Sequence, residues 1–472
     1  MAITKQLTMF DVTNLVVGAV VGADIYIAAS FGSGLLGPAS IVAWIVAGIF
    51  ATIIALTFAK CSGVVKQVGG PYAYAKKAFG HFSGFITGWS LWLAELAALC
   101  VFPLAFAIYL SFFIPLDFTG RVIVIFLFIV FLFITNYFGI KKAARTNDLL
   151  TVLKLAPLFL LIVVGLIWMF SKPEMVLSHL LPFAPMGFGG FGMAVVLIFW
   201  AYVGFELASI PTSEIRNSEK VVPKAMVLGM LIVSAFYLLT NLVIISSTNY
   251  ADLASQTAPL TYVAFLLMGG LGAVIMAIGA LVSVSGSNES GLIGSVRLAY
   301  AMAADGYFPK KMANLHNKYS TPHISLGVHS VIAFVAASFF PVKDLIVFSV
   351  FCFAFCYIMV AASAMKLRKD KATKVLGIAS ILICIYLISQ SGLSAILSGL
   401  ILVLLGLPIY QFFSPKSEVK EAKRFLFKEE NVLKHRMEKE EVFLGHFVKH
   451  VKLHLRKREE FYKHNPPSRG KK

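Results

Sequence analysis

The feature that most constrains this chain is a series of long, uninterrupted apolar runs. A helix needs about 20 mostly apolar residues to cross the hydrocarbon core of a bilayer, and the 472-residue sequence contains twelve candidates. They lie at about residues 10–33, 39–61, 82–113, 120–140, 149–170, 191–215, 223–246, 271–303, 323–340, 344–366, 374–390 and 393–413. The runs are continuous rather than alternating, which favours helices over barrel strands. The chain is therefore predicted to be an all-α integral membrane protein with twelve transmembrane helices.

Composition agrees with a membrane protein and excludes a water-soluble globule. Hydrophobic residues make up 58% of the chain and charged residues 14%, whereas soluble domains carry about 25% charge. The net charge of +18 is compatible with nucleic acid or with a membrane surface. Because the basic residues cluster between the apolar runs, we expect a membrane and no nucleic-acid partner.

The loops between the predicted spans differ in charge in a regular way. Loops after even-numbered spans are basic, and loops after odd-numbered spans are poor in Lys and Arg. The basic loop residues are Lys66, Lys76, Lys77, Lys141, Lys142, Arg145, Arg216, Lys220, Lys224, Lys310, Lys311, Lys318, Lys366, Arg368, Lys369, Lys371 and Lys374. Since basic loops stay in the cytoplasm, this alternation predicts a multi-pass protein of the cell membrane with both termini cytoplasmic.

The residues after Phe413 differ in composition from the apolar part before them, which we predict to be a membrane domain over residues 1–413. In the tail, residues 414–472, charged side chains alternate with Phe, Leu and Val, and half of the ten histidines lie there. This pattern predicts one or two amphipathic helices forming a basic cytoplasmic tail on anionic membrane lipids. A regulatory or oligomer contact and a histidine-based switch are the alternatives. The mixed segment 247–269 is predicted to be an external loop with short helices.

Two of the spans carry glycine and an acid in the middle of an otherwise apolar helix. They are the first, NLVVGAVVGADIYIAASFGSG, and the sixth, FGMAVVLIFWAYVGFELASIPTSEI. Glycine-interrupted spans at matching positions of two halves indicate a transporter site, because freed backbone N–H and C=O groups are tolerated in a bilayer only where they line a cavity. Such groups suit the carboxylate and ammonium of an amino acid. The alternative is that Gly18, Gly22 and Gly204 only permit close helix packing.

Five ionisable side chains fall inside predicted spans: Asp24, Glu95, Lys154, Glu206 and Glu289. Each costs about 2.5–3.5 kcal/mol or more at the centre of a helix that faces lipid, so all five are expected to face a polar interior. Glu95 and Glu289 have a plain alternative, which is to satisfy polar neighbours such as Ser285 and Ser287.

Four residues of the interrupted and neighbouring spans are candidates for chemistry. Asp24 can pair with a substrate ammonium or cap the second half of its helix. Glu206 is a candidate gate or proton site. Lys154 can exchange a proton during transport or snorkel to the inner interface. Trp200, within a run of aromatic residues, can cover a substrate or belong to ordinary packing.

Several motifs together resemble the amino acid–polyamine–organocation permeases. They are GAVVGADIY (18–26), VGGPYAYAKKAFG (68–80), NYFGIKKAARTNDLLTVLKL (136–155), FWAYVGFELASIPTSEIRNSEKVVPKA (199–225) and SVRLAYAMAADGYFPK (295–310). The resemblance covers residues 8 to 412 and omits the tail. It implies a LeuT-like fold with a 5+5 inverted repeat, over about 8–170 and 190–340, plus two further helices over about 344–366 and 374–413.

The resemblance also implies a substrate site at the two interrupted helices. The matching positions are Val21, Gly22, Ala23, Asp24 and Ile25 in the first span and Val203, Gly204, Phe205 and Glu206 in the sixth. Trp200 matches an aromatic that acts as a gate in some relatives. Lys154 matches a lysine that, in proton-coupled members, sits where sodium-coupled relatives hold an ion, which implies a coupling role. Ser283 and Ser285 are the residues that would help hold sodium instead.

Asp24 departs from the family pattern, which usually has a second glycine there. A carboxylate at this position should repel a substrate carboxylate. Either Asp24 points away from the substrate, or the substrate is an amine with a weak or absent carboxylate. Cationic amino acids and polyamines therefore stay beside neutral amino acids as candidate substrates.

The sequence thus predicts secondary active transport of amino acids by alternating access, with proton-coupled symport as the first hypothesis. The alternatives are an exchanger of amines, cationic amino acids or polyamines, and a nutrient sensor that binds without transporting and signals through the tail. The spans contain neither a His–Glu metal motif nor a phosphate-binding glycine loop, so we expect no enzyme, metal or cofactor.

Overall fold

The computed structural model describes residues 8–65, 69–138, 143–209, 215 and 217–419, without the side chains of 143–152, 208 and 209. The predicted tail helices and their lipid contact lie outside the described residues, apart from residues 414–419. The basic residues Lys66, Lys141, Lys142 and Arg216 also lie outside them, so the charge of those loops is a property of the sequence alone.

The first half of the described chain is a succession of helices with short connections. Their bounds are α1 (Met9–Val20), α2 (Ala23–Leu36), α3 (Ser40–Ser62), α4 (Pro71–Phe79), α5 (His81–Leu110), α6 (Phe118–Tyr137), α7 (Ala143–Ser171), α8 (Pro173–Leu180) and α9 (Phe191–Phe199). Short 3₁₀ turns at Trp200–Tyr202 and Phe205–Ser209 follow α9.

The second half continues in the same way. Its helices are α10 (Ser218–Ser247), α11 (Tyr250–Ser255), α12 (Pro259–Ala304), α13 (His323–Phe339), α14 (Val342–Leu367), α15 (Lys371–Gln390), α16 (Leu393–Leu404) and α17 (Gly406–Phe413). Helix α12 is interrupted at Gly269, where φ is 68°. The predicted loop 247–269 thus contains α11 and the first, separate piece of α12, and the prediction of short helices there is confirmed.

Polar caps and prolines explain where several helices begin. Thr8 and Asp11 form a capping box at α1, and the Asp117 side chain accepts a hydrogen bond from the Gly120 N–H at 2.7 Å to start α6. Pro71 and Pro173 occupy the first turns of α4 and α8, where a missing N–H costs nothing.

All twelve predicted runs are helical in the described part of the chain, so the all-helical fold class is confirmed. Nine helical segments there are long and apolar enough to cross a membrane, and three shorter apolar helices accompany them, at Met9–Val20, Phe191–Leu207 and His323–Phe339. The chain is a multi-pass membrane protein.

Helix α5 lies at the centre of the bundle, and α6 and α7 lie at its outside. Side chains of α5 are buried along almost its whole length, against α4, α12, α13 and α14. Large apolar side chains are exposed on the outer helices, such as Phe131 on α6 at 58% and Phe170 on α7 at 85%. In a membrane protein such side chains face lipid, so the polar residues of α5 and α12 face an interior without lipid.

Helices α7 and α12 approach each other closely at Gly279. A Cβ atom on Gly279 would lie 2.5 Å from Cγ and 2.9 Å from Cβ of Pro157. Pro157 lies three residues after Lys154, so this contact fixes the position of Lys154 along the axis of α12.

We expect Gly279→Ala to reduce the free energy of unfolding by about 1–3 kcal/mol, because a rigid proline ring cannot move aside for the added methyl group. The measurement is thermal unfolding in detergent. Gly270→Ala is the matched control on α12, since its Cβ would meet no atom within 4 Å. Equal melting temperatures for the two variants would contradict the close contact.

Candidate substrate site

The first span is broken between α1 and α2. Val21 (φ −75°, ψ 101°) and Gly22 (φ −138°, ψ −141°) leave the helical conformation. The break frees carbonyl groups at the end of α1 and N–H groups at the start of α2. The predicted interruption of the first span is therefore present at the predicted residues.

Side chains from other helices bind the carbonyl groups freed at the end of α1. Lys154 Nζ donates to the Gly18 oxygen at 2.9 Å, and the Tyr237 hydroxyl donates to the Val20 oxygen at 3.1 Å. Ser287 Oγ donates to the Val21 oxygen at 2.8 Å. Side chains of α7, α10 and α12 thus bind backbone carbonyl groups that would have no hydrogen-bond partner in lipid.

The sixth span is broken after α9. Val203 is extended, with ψ of 156°, and Gly204 has φ of +118°, a conformation that favours glycine. A Cβ on Gly204 would lie 2.8 Å from the carbonyl oxygen of Ala19, so the two broken helices meet backbone to backbone. This contact requires glycine at position 204 for both its conformation and its size.

The two breaks border a small cavity of about 40 Å³. Its walls come from α1, α2, α5, the residues after α9, α12 and α14. Three carboxyl groups line it, those of Asp24, Glu95 and Glu206, and the rings of Phe102, Trp200 and Phe353 line it as well. The volume is far below the ~300–1,000 Å³ typical of small-molecule pockets, so the cavity is too small in this conformation for a ligand of that kind.

Asp24 lies in the first turn of α2 and is 4% exposed. Its carboxylate accepts backbone hydrogen bonds from Gly22 and from Asp24 itself. The side chain therefore satisfies N–H groups at the start of α2 and also borders the cavity. Both sequence-based interpretations of this residue, the cap and the cavity carboxylate, agree with its position.

Lys154 is 1% exposed and lies between α1 and α12. Besides the Gly18 oxygen, its Nζ binds Ser287 Oγ at 2.9 Å. The interpretation of Lys154 as a residue that snorkels to the interface is therefore wrong. Ser285 donates to Leu281 of its own helix, and the Ser283 hydroxyl lies 3.5 Å from the Val21 oxygen. The lysine ammonium thus lies at the break, where its serine partner is Ser287 and neither of the two serines suggested for sodium.

The comparisons with known proteins agree with this architecture. The family model for amino acid permeases matches residues 7–423. The chain belongs to the amino acid permease family. Among its relatives, the branched-chain amino acid permease of Bacillus subtilis is 27% identical over 443 residues, which cover 88% of this chain and 94% of the relative.

Two further relatives of this permease come from the same organism. A methylthioribose transporter is 26% identical and aligns over 72% of this chain and 76% of its own length. A serine/threonine exchanger is 26% identical and aligns over 77% of this chain and 84% of its own length. These relatives are all named as transporters, and their names specify chemically different substrates. A permease of this family is not an enzyme, and its substrate has to be argued from its own site.

The permease brings the predicted site residues together around the two breaks, but only some of them line the cavity. Asp24, Trp200, Val203, Gly204 and Glu206 line the cavity. Val21, Gly22, Ala23 and Ile25 are buried at the break and are not among the residues that line the cavity. Phe205 packs against Phe58 and Tyr357, with ring centroids 5.4 and 5.7 Å apart. The transport roles of all these residues, including coupling by Lys154 and Glu206, stay predictions.

Sequence reasoning missed two partners of Glu206. The Tyr357 hydroxyl on α14 donates to Glu206 Oε2 at 3.0 Å, and Glu95 on α5 lines the same cavity and interacts electrostatically with the Glu206 carboxyl group. An acid in the middle of a span signals Glu95 in the sequence, but its distance from Glu206 depends on how α5 packs. Glu289 is only partly buried and interacts electrostatically with Lys154, so it does not serve the neighbouring serines alone.

Proposed function

We propose that this permease is a secondary active transporter of amino acids that works by alternating access in the cell membrane, with both termini cytoplasmic. The observation that carries the proposal is the small cavity where two broken helices meet. Backbone groups freed from helices, three carboxyl groups and aromatic rings converge there. Such a site near the middle of interrupted spans is what a transporter of small zwitterions or amines needs.

In this proposal the substrate ammonium binds carboxylate and carbonyl oxygens, and the substrate carboxylate binds N–H groups at the start of α2. Asp24 already accepts hydrogen bonds there, so a substrate carboxylate has to displace it. The small volume of the cavity means that substrate entry requires movement of the surrounding helices. The family resemblance implies two repeats, and rocking of one repeat against the other would supply such a movement.

Proton coupling is assigned to Lys154 in the proposal. Its Nζ connects α7 to the Gly18 oxygen of α1 and to Ser287 of α12. Loss of the proton weakens hydrogen bonds made by an ammonium, since charge-assisted bonds are the stronger ones. Deprotonation of Lys154 would therefore weaken the connection that its side chain makes between α1 and α12. The conformational change that carries the substrate would then depend on the proton gradient.

The test is uptake of radiolabelled alanine, leucine, lysine and putrescine into proteoliposomes in sodium-free buffer, with and without an inward proton gradient. We expect at least one amino acid to accumulate when the gradient is present and to equilibrate when it is absent. Empty liposomes under the same gradient are the control. Accumulation that needs added sodium, with no response to protons in the sodium-free buffer, would overturn the coupling assigned to Lys154.

Exchange is the second candidate, because one relative is named as a serine/threonine exchanger. An exchanger would show counterflow, in which unlabelled substrate inside the vesicle drives uptake of labelled substrate. It would show no net accumulation under a proton gradient. Binding by thermal shift without either form of uptake would favour the sensor instead.

A further inference from the structure

Glu95 and Glu206 give the cavity more carboxyl groups than a site for a neutral amino acid needs. Glu95 lies in the middle of α5 and is 6% exposed, and Glu206 is 0% exposed. The Glu206 carboxylate accepts hydrogen bonds from the Gly204 N–H, 3.2 Å from each oxygen. It also accepts one from the Tyr357 hydroxyl. These contacts hold the Glu206 carboxylate in place.

Glu95 and Glu206 line the same small cavity and interact electrostatically. Two buried carboxylates at one site repel each other, so such a pair holds one proton between them when no cation is present. The Oε1 atom of Glu95 is buried without a hydrogen-bond partner among the described residues. A buried acceptor left unpaired is costly, and Glu95 lines the cavity. A donor that enters the cavity would satisfy it.

The rest of the cavity suits a cationic donor. Phe102 and Trp200, whose ring centroids are 6.2 Å apart, and Phe353 supply aromatic surfaces, which attract ammonium and guanidinium groups. Within the described part of the chain, no Lys or Arg lines the cavity. Lys154 is not among the lining residues, and its Nζ is bound to the Gly18 oxygen and to Ser287.

Asp24 supplies a third carboxyl group to the same small space. A substrate with one ammonium can neutralise one acidic position, and a neutral aliphatic side chain would leave the Oε1 atom of Glu95 without a donor. A substrate with two cationic groups can pair one with Asp24 and the other with the pair formed by Glu95 and Glu206.

We infer that the pair of Glu95 and Glu206 binds the second cationic group of the substrate, so that cationic amino acids and diamines are preferred over neutral amino acids. This inference rests on the proposed transport function and specifies its substrate class. When the cation arrives, the shared proton leaves the pair for the opened side of the membrane. Proton and cation then compete for the same two carboxylates.

The experiment compares wild-type protein with Glu95→Gln in proteoliposomes, using radiolabelled lysine, putrescine and leucine at equal pH on both sides. Glutamine keeps the size of the side chain but removes the charge. We expect kcat/KM for lysine and putrescine to fall by about tenfold or more relative to leucine, as for other buried charge pairs that lose a partner. In the wild type, the apparent affinity for lysine should weaken at lower pH, and this dependence should diminish in the variant.

Asp252→Asn is the matched control, because Asp252 is an exposed acid on α11, outside the cavity. Its ratio of lysine to leucine uptake should equal that of the wild type. Equal losses for leucine and lysine in Glu95→Gln would make Glu95 a purely structural residue and overturn the inference.

The wild type alone also tests the inference if the variant does not fold. Uptake of leucine that neither lysine nor putrescine inhibits would overturn the inferred substrate class and leave the proposed transport function standing. Absence of uptake and counterflow for every substrate would instead overturn the transport function, and the inference with it.

Discussion

Replacing Lys154 with methionine is expected to abolish proton-driven accumulation, with a loss of at least about tenfold. Methionine fills similar volume but cannot donate a hydrogen bond, so the Gly18 oxygen and Ser287 lose their shared partner. Removing one member of a buried, charged contact costs about 3–5 kcal/mol, enough to alter the balance between transport conformations. The carboxyl groups of Asp24 and Glu289 also lose the cation with which they interact.

The measurement is the ratio of internal to external substrate in proteoliposomes under an inward proton gradient. Lys172→Met is the matched control, because Lys172 follows α7 directly and is exposed. The control should accumulate substrate like the wild type. If Lys154→Met accumulates substrate normally under the gradient, Lys154 is not the coupling residue.

Gly204→Ala is expected to give the second large loss, in both stability and transport. The φ of +118° strains any residue with a Cβ, at a cost of about 1–3 kcal/mol. The added carbon would also lie 2.8 Å from the backbone oxygen of Ala19, which cannot move without shifting α1. We expect a lower melting temperature in detergent and uptake reduced by about tenfold or more.

Gly189→Ala is the control for that variant, since Gly189 precedes α9 and a Cβ there would meet no atom within 4 Å. Its melting temperature and uptake should match those of the wild type. Wild-type uptake by Gly204→Ala would show that the close contact between the two broken helices is not needed for transport.

The helices and both interruptions were predictable because each depends on local sequence. A run of about 20 apolar residues has only one stable form in a bilayer. Glycine close to an acid marks the positions where the helix is interrupted, and in the structure the helical conformation is interrupted at Gly22 and Gly204.

The arrangement inside the cavity was less predictable because it depends on which helices pack together. Nothing local indicates that Glu95 and Glu206, 111 residues apart in numbering, line the same cavity, or that Tyr357 binds the Glu206 carboxylate. Phe205 shows the same dependence on packing. It follows Gly204 directly, yet the 3₁₀ turn directs its ring toward Phe58 and Tyr357. The direction of a side chain at a helix break cannot be read from its position in a motif.

The way α1 ends has a consequence for how the permease can move. The oxygens of Gly18, Val20 and Val21 accept hydrogen bonds from side chains on neighbouring helices, those of Lys154, Tyr237, Ser283 and Ser287. Rotation of these side chains releases the bonds, so α1 can tilt without losing a bond of its own helix. At about 0.5–1.5 kcal/mol for each neutral bond and 1.5–3 for one to an ammonium, the three shortest bonds together contribute about 2.5–6 kcal/mol. That range includes the ~5.5 kcal/mol of differential binding that reverses a 1:99 population, so we expect a ligand that replaces these three bonds to shift α1 between two positions.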